Sequence, residues 1–170
     1  MQEIVRETGL SKGAFYHYFT SKEDVFEEVV RYFYEHLVLA DYQLYPNDSL
    51  KGFYSAYINR LSQNAANRPD ESPEMNPFVF VFEAMRRLPN LREIQQKQQS
   101  GELKFWIAAV KNAKASGEIK AKLSDTAIAK MFININDGVL LHYTLSQGNT
   151  EEMIRELRKT YDNLYSLLES

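Results

Sequence analysis

Cysteine is absent from this chain of 170 residues, and its absence excludes several classes of protein at once. Without cysteine there is no disulfide scaffold, no thiol nucleophile and no thiolate metal ligand. Long apolar runs are also missing, because none reaches the roughly 18 residues that a membrane-spanning helix needs. The chain does not open with a charged segment followed by an apolar one, which is the pattern of an export signal. We therefore expect a cytoplasmic protein that does not enter a membrane.

Positive charge is in short supply as well. The formal net charge is -3 and the sequence pI is about 5.7, which argues against a protein that coats nucleic acid by charge alone. Any basic signal must therefore be local. Near the N-terminus, Arg6, Lys12 and Lys22 stand against Glu3 and Glu7, a surplus of one positive charge.

The residue patterns of catalysis are missing too. The chain has three histidines, His17, His36 and His142, and their spacing does not match that of metal ligands. It contains no phosphate-binding loop, zinc-protease motif or nucleophile elbow. We therefore expect no enzyme activity, no metal and no cofactor. Glu83 stands among apolar residues, and the sequence leaves open whether it is a buried contact for a ligand or faces solvent.

What the sequence does contain is a helix-turn-helix pattern at its start, IVRETGLSKGAFYHYFTSKEDVFEEVV, over residues 4–30. Gly9 suits the left-handed backbone conformation that reverses the chain between two helices. Ser11 is a natural N-cap for the next helix, Lys12–Tyr18. In that helix Phe15 and Phe19 are four residues apart and share one face. We expect this face to pack and the opposite face to be free for contact with another molecule.

The free face has the features of a surface that touches DNA. Gly13 and Ala14 are small, which allows another surface to approach the start of the helix closely. Ser21 and Asp24 form a capping box that begins a third helix, with Lys22 beside its N-terminal end. Backbone N–H groups at a helix N-terminus, together with a lysine, predict a phosphate site.

The run TGLSKGAFYHYFTSKEDVF, residues 8–26, resembles the tetracycline-repressor (TetR-like) family of bacterial transcription regulators. The resemblance implies a DNA-reading helix at Lys12–Tyr18, an all-helical, ligand-responsive body and a homodimer. It places Phe15 and Phe19 on buried positions. It also implies a further helix before this motif, and since the sequence begins at Met1 within the motif's first helix, we expect the polypeptide as given to bind DNA weakly. The DNA-binding residues that the cap and the resemblance together predict are Ser11, Lys12, Gly13, Ala14, Tyr16, His17, Tyr18 and Lys22.

The rest of the chain predicts an all-α fold, with a head and connecting helix over residues 1–40 and a body over 41–170. Apolar residues at helical spacing continue the third helix to about Asp41. Prolines and capping residues then separate five further helices, with the longest loop at Arg68–Asn76. The predicted helices of the body are Leu50 to Asn67, Phe78 to Leu88, a long helix from Asn90 to Ser116, Asp125 to Gln147, and Glu151 to Glu169 capped by Thr150.

The last two helices carry more apolar surface than one packed side requires. Gly138 lies inside the first of them, and a glycine there predicts close approach of another helix or a ligand. In the family that the head resembles, these two helices pair with their copies in a second subunit, and we expect the same dimer here. The alternative is that they complete the core of one subunit. The predicted interface residues are Ile154, Leu157, Tyr161, Leu164 and Leu168.

The central helices line the ligand cavity in proteins that this one resembles, and an apolar pocket with a few polar groups is the usual form of such a site. Its predicted lining residues are Tyr57, Phe82, Trp106, Asn134 and Asp137. These positions predict a small apolar or aromatic effector. The sequence therefore predicts a dimeric regulator, a repressor that the effector releases from palindromic double-stranded DNA. The alternative is a helical ligand-binding or interaction module without competent DNA binding.

Overall fold

A computed structural model describes residues 1–33, 40–66, 77–88, 91–146 and 148–169. Throughout these residues the chain is all-α, as predicted, and contains no strand. None of the helices in the described ranges is both long and apolar enough to cross a membrane. The helices are α1 (Gln2–Thr8), α2 (Lys12–Tyr18), α3 (Lys22–Tyr32), a 3₁₀ helix (Ala40–Leu44), α4 (Leu50–Ala66), α5 (Pro77–Arg87), α6 (Leu91–Ser116), α7 (Asp125–Leu145) and α8 (Thr150–Glu169).

The caps of the three N-terminal helices follow the predictions. Gly9 ends α1 with a left-handed backbone, φ 67°, a conformation that glycine adopts without strain. The Ser11 side chain accepts the backbone N–H of Ala14 at 3.2 Å and so caps α2. Ser21 and Asp24 form the capping box of α3 in both directions. Local sequence therefore sets where each of these helices begins or ends.

The third helix was predicted to run to about Asp41, and the structure describes only part of that stretch. Helix α3 is described to Tyr32, and Ala40–Leu44 is a 3₁₀ helix. Residues 34–39, the predicted loop Arg68–Asn76 and the predicted cap Asn90 lie outside the described residues. Apolar spacing alone did not reveal the 3₁₀ conformation around Tyr42, whose ring is buried.

The main core lies between α4, α6, α7 and α8 and is centred on Trp106, which is 1% exposed. The indole ring stacks on Phe132 with ring centroids 5.2 Å apart. Phe53, Tyr57 and Tyr161 meet it edge-on at 4.9 to 6.0 Å. Such edge-to-face pairs add about 0.5–1.5 kcal/mol each beyond the area they bury. This aromatic packing fixes how the four helices cross.

A smaller apolar cluster joins the head to the body. Its buried members are Val30 of α3, Ala84 of α5, Leu88 directly after α5, and Leu91 at the start of α6. The ring of Phe80 packs between Phe26 and Phe33 with centroids 5.9 and 5.1 Å away, and the guanidinium of Arg87 lies over the ring of Phe26 at 5.3 Å. Within the described residues, α6 is the helix that contributes to both clusters. It therefore connects the packing of the head to the core.

The predicted dimer residues of α8 require a correction. Leu157 and Tyr161 are fully buried and Leu168 is 3% exposed, all within the core of their own chain. Ile154 and Leu164 pack against the same core. The apolar stripe of α8 therefore faces α4 and α7. Leu157, Tyr161 and Leu168 are already covered within one chain, whereas Ile154 and Leu164 are only partly buried.

One further local prediction was wrong. Asn149, rather than Thr150, caps α8, because its side-chain oxygen accepts the backbone N–H of Glu151 at 2.7 Å.

The space beside Gly138 is open within the described residues. A Cβ added there would meet no atom within 4 Å outside its own stretch of α7. Close approach of a helix from a second subunit, or of a ligand, therefore stays a prediction.

Candidate DNA-binding surface and buried polar cluster

Helix α2 packs through one side chain and exposes the others, as its pattern predicts. Phe15 is 1% exposed and contacts Phe19 at 5.2 Å between ring centroids. On the opposite face Tyr16 is 40% and Tyr18 is 72% exposed. Lys12, Gly13 and His17 are exposed as well. Five side-chain positions on seven residues of helix are therefore available to a groove or a phosphate.

Small residues at the start of α2 leave room for a close approach. A Cβ at Gly13 would meet no other atom within 4 Å. The Ser11 hydroxyl caps the N-terminus of α2, so this predicted DNA-contact residue also fixes where the helix begins. Ala14 is half-buried and supplies the N–H that Ser11 accepts. Lys12 forms no ion pair with any described residue, which leaves its ammonium group free.

The N-terminus of α3 is partly occupied by its own carboxylate. Asp24 accepts the hydroxyl of Thr20 and the backbone N–H groups of Thr20 and Ser21, at 3.0 and 3.1 Å. Hydrogen bonds from Thr20 and Ser21 hold the pKa of Asp24 below its ordinary value. An anion at this end of the helix therefore relies on exposed Lys22 more than on the backbone N–H groups that were predicted to bind it.

A cleft of about 240 Å³ lies between α1 and α2, lined by Gln2, Val5, Lys12 and Tyr16. Helix α1 buries none of its residues, and Leu10 in the turn is 46% exposed. Arg6 pairs with Glu7 at 3.1 Å, so its charge is largely compensated. On this surface, Lys12 is therefore an exposed cation without an ion-pair partner among the described residues.

The predicted ligand residues divide into two groups. Tyr57 and Trp106 are buried together in the main core, and the exposed Asp137 accepts a hydrogen bond from the neighbouring buried Asn136. Asn134 is exposed on α7, and Phe82 is 52% exposed on α5. Asn134 and Asp137 are three residues apart in α7 and therefore lie on the same exposed face of the helix. The structure therefore buries two of the five residues and exposes the other three, and the ligand role of all five stays a prediction.

Glu83 is settled as an ion-pair partner. Its carboxylate pairs with Arg86 at 2.7 Å and Arg87 at 2.5 Å within α5. Hydrogen bonds from Arg86 and Arg87 lower the pKa of Glu83 to about 2. It is charged and compensated within its own helix.

The sequence reasoning missed three buried residues with polar groups in this region, namely Tyr42, Glu102 and Asn136. The Tyr42 hydroxyl donates to Glu102 Oε1 at 2.5 Å, and the Gln98 amide donates to Glu102 Oε2 at 3.4 Å. The Tyr57 hydroxyl donates to Asn136 Oδ1 at 2.8 Å, and the Asn136 amide in turn donates to Asp137 at 3.3 Å. The one available signal was Glu102 itself, an acid directly before the apolar residues that continue α6.

The electrostatics of this polar cluster disfavour negative charge. Burial raises the pKa of Glu102, and the nearby carboxylate of Asp137 raises it further. Burial also raises the pKa values of Tyr42 and Tyr57 well above the ordinary range of tyrosine. Asp137 is an exposed residue, but partial burial of its carboxylate raises the pKa of this group too. Among the described residues no group of acids and histidines is arranged to hold a metal ion.

A capped helix pair with an exposed second helix is the arrangement of a helix-turn-helix head. Residues 1–29 match the family model of bacterial regulatory proteins of the tetR family. The chain is similar to YfiR of Bacillus subtilis (strain 168), an uncharacterised HTH-type transcriptional regulator, at 23% identity over 140 residues. It is also similar to YuxN of the same strain, another uncharacterised HTH-type transcriptional regulator, at 26% identity over 160 residues.

These alignments cover 82% and 91% of this chain, and they span 67% of YfiR and 53% of YuxN. No solved structure matches the chain. The family model covers the N-terminal head, and the two relatives extend the similarity over most of the chain. These matches support a transcriptional regulator with a tetR-type head.

Proposed function

We propose that this TetR-type regulator is a repressor that reads a palindromic operator with α2 and is released when a small molecule binds its body. The observation that carries the proposal is the one-sided packing of α2. Phe15 anchors the helix while Lys12, Tyr16, His17 and Tyr18 remain exposed on one surface.

In this proposal α2 enters the major groove with its N-terminal end first. Lys12 then reaches guanine edges, whose N7 and O6 atoms accept hydrogen bonds from a lysine. His17 lies five residues later and reaches a base or a phosphate. Tyr16, Tyr18 and Lys22 hold the register through the phosphates. Gly13 allows the groove wall to approach the helix because it carries no side chain.

Homodimerisation is part of the proposal, with a revised surface. Met131, Gly138 and Leu145 recur every seven residues along α7 and therefore lie on one face of it. Met131 is 40% and Leu145 is 74% exposed, and the space beside Gly138 is open. A second copy of α7 packed along this stripe would bury the apolar side chains and use the glycine for close contact. Dimer symmetry then predicts half-sites about 34 to 36 Å apart, or a multiple of that distance.

The link between effector and DNA in this proposal is α6. Leu91 and Ile94 pack near α3 in the smaller cluster, while Glu102 and Trp106 lie in the main core of the same helix. The separation of Ile94 and Glu102 is about 12 Å along the axis at 1.5 Å per residue. A ligand that shifts α6 would therefore also shift the contacts of α3, directly and through α5. An effector acts only if its affinities for the two head positions differ.

The test is selection of bound duplexes from a random-sequence DNA library, followed by titration of the enriched sequence at several salt concentrations. We expect an enriched palindrome and a steep fall of affinity with salt, because phosphate contacts release counterions. Failure to enrich any sequence, with equal affinity for all duplexes, would contradict the proposal.

The same experiment addresses the alternative of a helical ligand-binding module without DNA recognition. The observation in its favour is that α1 buries none of its residues, so the reading helix is weakly supported on that side. A module of this kind would bind its ligand and show no sequence preference in the selection.

A further inference from the structure

The buried carboxylate of Glu102 has only neutral hydrogen-bond donors. Glu102 is 9% exposed, and its partners are the Tyr42 hydroxyl and, at 3.4 Å, the amide of Gln98. Within the described ranges no lysine, arginine or histidine contributes to the electrostatics of this carboxylate. Buried acids are normally paired with a cation or held protonated. The position of Glu102 is therefore suited to a positive charge that the described residues do not supply.

A second, independent feature is an unsatisfied donor in the same cluster. Trp106 is 1% exposed, and its indole Nε1–H is the buried side-chain polar atom without a partner in the described part of the chain. It lies near the Tyr42 hydroxyl without reaching hydrogen-bond geometry. Because buried donors are nearly always paired, the cluster lacks one acceptor. A ligand that carries an acceptor close to its cationic group would complete the hydrogen bonding.

Aromatic rings surround these groups. Tyr42 stacks on Phe105 with centroids 5.6 Å apart and an interplanar angle of 14°, and on Tyr57 at 5.9 Å and 24°. The faces of aromatic rings attract organic ammonium ions, which is how many proteins recognise them. Tyr42 belongs to the five-residue 3₁₀ helix rather than to a long helix. A ligand that enters here must displace the Tyr42 ring, which is 3% exposed and stacked between Tyr57 and Phe105.

We propose that the effector is an organic ammonium compound with a nearby hydrogen-bond acceptor, and that Glu102 is its counter-ion between the rings of Tyr42 and Tyr57. This inference rests on the proposed function, because it names the chemical class of the effector. The exposed Asp137 adds a second negative charge at the edge of the site. Trp106 then donates its N–H to the acceptor of the ligand.

The probe is phenoxyethyl-trimethylammonium, with 3,3-dimethylbutyl phenyl ether as the uncharged isostere in which carbon replaces nitrogen. Binding is followed by the fluorescence of Trp106, the single tryptophan of the chain, and by calorimetry. We expect the cation to bind saturably and at least about 30-fold more tightly than the isostere, the factor for a close buried charge pair. Glu102→Gln should lower cation affinity by a similar factor, whereas Glu156→Gln, at an exposed position of α8, should leave it unchanged.

Thermal melting of Glu102→Gln separates loss of binding from loss of folding. Asp137→Asn, at an exposed residue, provides a second variant and should lower cation affinity severalfold. Equal binding of the cation and the isostere, no binding of either, or full affinity in both Glu102→Gln and Asp137→Asn would overturn the inference.

The operator titration is run in parallel with and without the cation. Binding through Glu102 without any change in operator affinity would support the site and contradict the ligand response in the proposed function. Operator binding by a protein that ignores the cation would support DNA recognition and contradict this inference.

Discussion

The carboxylate of Glu118 accepts the backbone N–H of Leu50 at 3.0 Å, so a residue that follows α6 caps the start of α4. It also accepts the N–H of Lys51 at 2.9 Å and the hydroxyls of Ser49 and Tyr165 at 3.0 and 3.1 Å. One side chain therefore ties α4, the connection between α6 and α7, and α8 together. Orphan N–H groups at a helix start are normally satisfied by a neighbour in sequence, and here the partner comes from 68 residues away.

Replacing Glu118 with alanine should destabilise the protein by about 1–3 kcal/mol, because several donors lose their acceptor at once. Partial burial alone would raise the pKa of Glu118, but hydrogen bonds from Lys51, Leu50, Ser49 and Tyr165 outweigh it and lower the pKa. The stabilisation is therefore present above the ordinary carboxylate pKa and is lost as pH falls through the lowered value. Urea unfolding of wild type and variant from pH 7 to pH 3 measures this, and a pH-independent difference would contradict it. Glu156→Ala is the exposed control.

Replacing Glu102 with glutamine should have the opposite effect at neutral pH. The folded state holds the proton of Glu102 more tightly than the unfolded chain does, so stability decreases as pH rises from the ordinary carboxylate pKa through the raised one. Glutamine avoids the desolvation of a charge and keeps an acceptor for Tyr42, which we expect to stabilise the protein by about 1–2 kcal/mol at pH 7. The gain should vanish at acid pH in calorimetric melts. A glutamine variant that is less stable than wild type at pH 7 would show that the charged form is favoured by an unseen partner.

Lys12 and Lys22 should affect DNA binding in different ways. Lys12→Ala should cost about 1–3 kcal/mol on the selected operator and relax specificity at one position in each half-site. Lys22→Ala should weaken binding to all sequences alike and lower the salt slope by about one unit per head. Fluorescence anisotropy titrations at several salt concentrations distinguish the two, and Lys104→Ala on the exposed side of α6 serves as the control. Identical effects of both head variants on specificity would refute the assigned roles.

Aspartate substitutions at Leu145 and Leu157 should distinguish the proposed dimer surface from the core. Leu145 is 74% exposed on the proposed dimer surface, so Leu145→Asp should leave a folded monomer. Leu157 is fully buried, and Leu157→Asp should unfold the chain, because an unpaired buried charge costs several kcal/mol. Sedimentation velocity with circular dichroism reports both outcomes, and Leu44→Asp, 79% exposed on the 3₁₀ helix, is the control. A dimer that survives Leu145→Asp would place the interface on another surface.

The sequence by itself determined the helices of the head and their ends. Gly9, Ser11 and the Ser21–Asp24 box act on backbone groups within four residues, so their effect is written locally and the structure reproduces it. The exposed face of α2 followed from the spacing of Phe15 and Phe19 in the same way. The match of the head to the tetR family model was predictable there too, because the resemblance is carried by a continuous run of residues.

Only the tertiary structure decided which partner each apolar or polar face meets. The apolar stripe that contains Leu157 and Tyr161 predicts that one face of α8 is buried. The same spacing would fit burial against α4 and α7, which the structure shows, or burial against a second subunit. The polar cluster joins Tyr42 to Glu102 and Tyr57 to Asn136, pairs that are 60 and 79 residues apart. The periodicity of apolar residues does not predict contacts between residues so far apart in sequence. A buried hydrogen bond depends on how whole helices cross and not on the neighbouring residues in the chain.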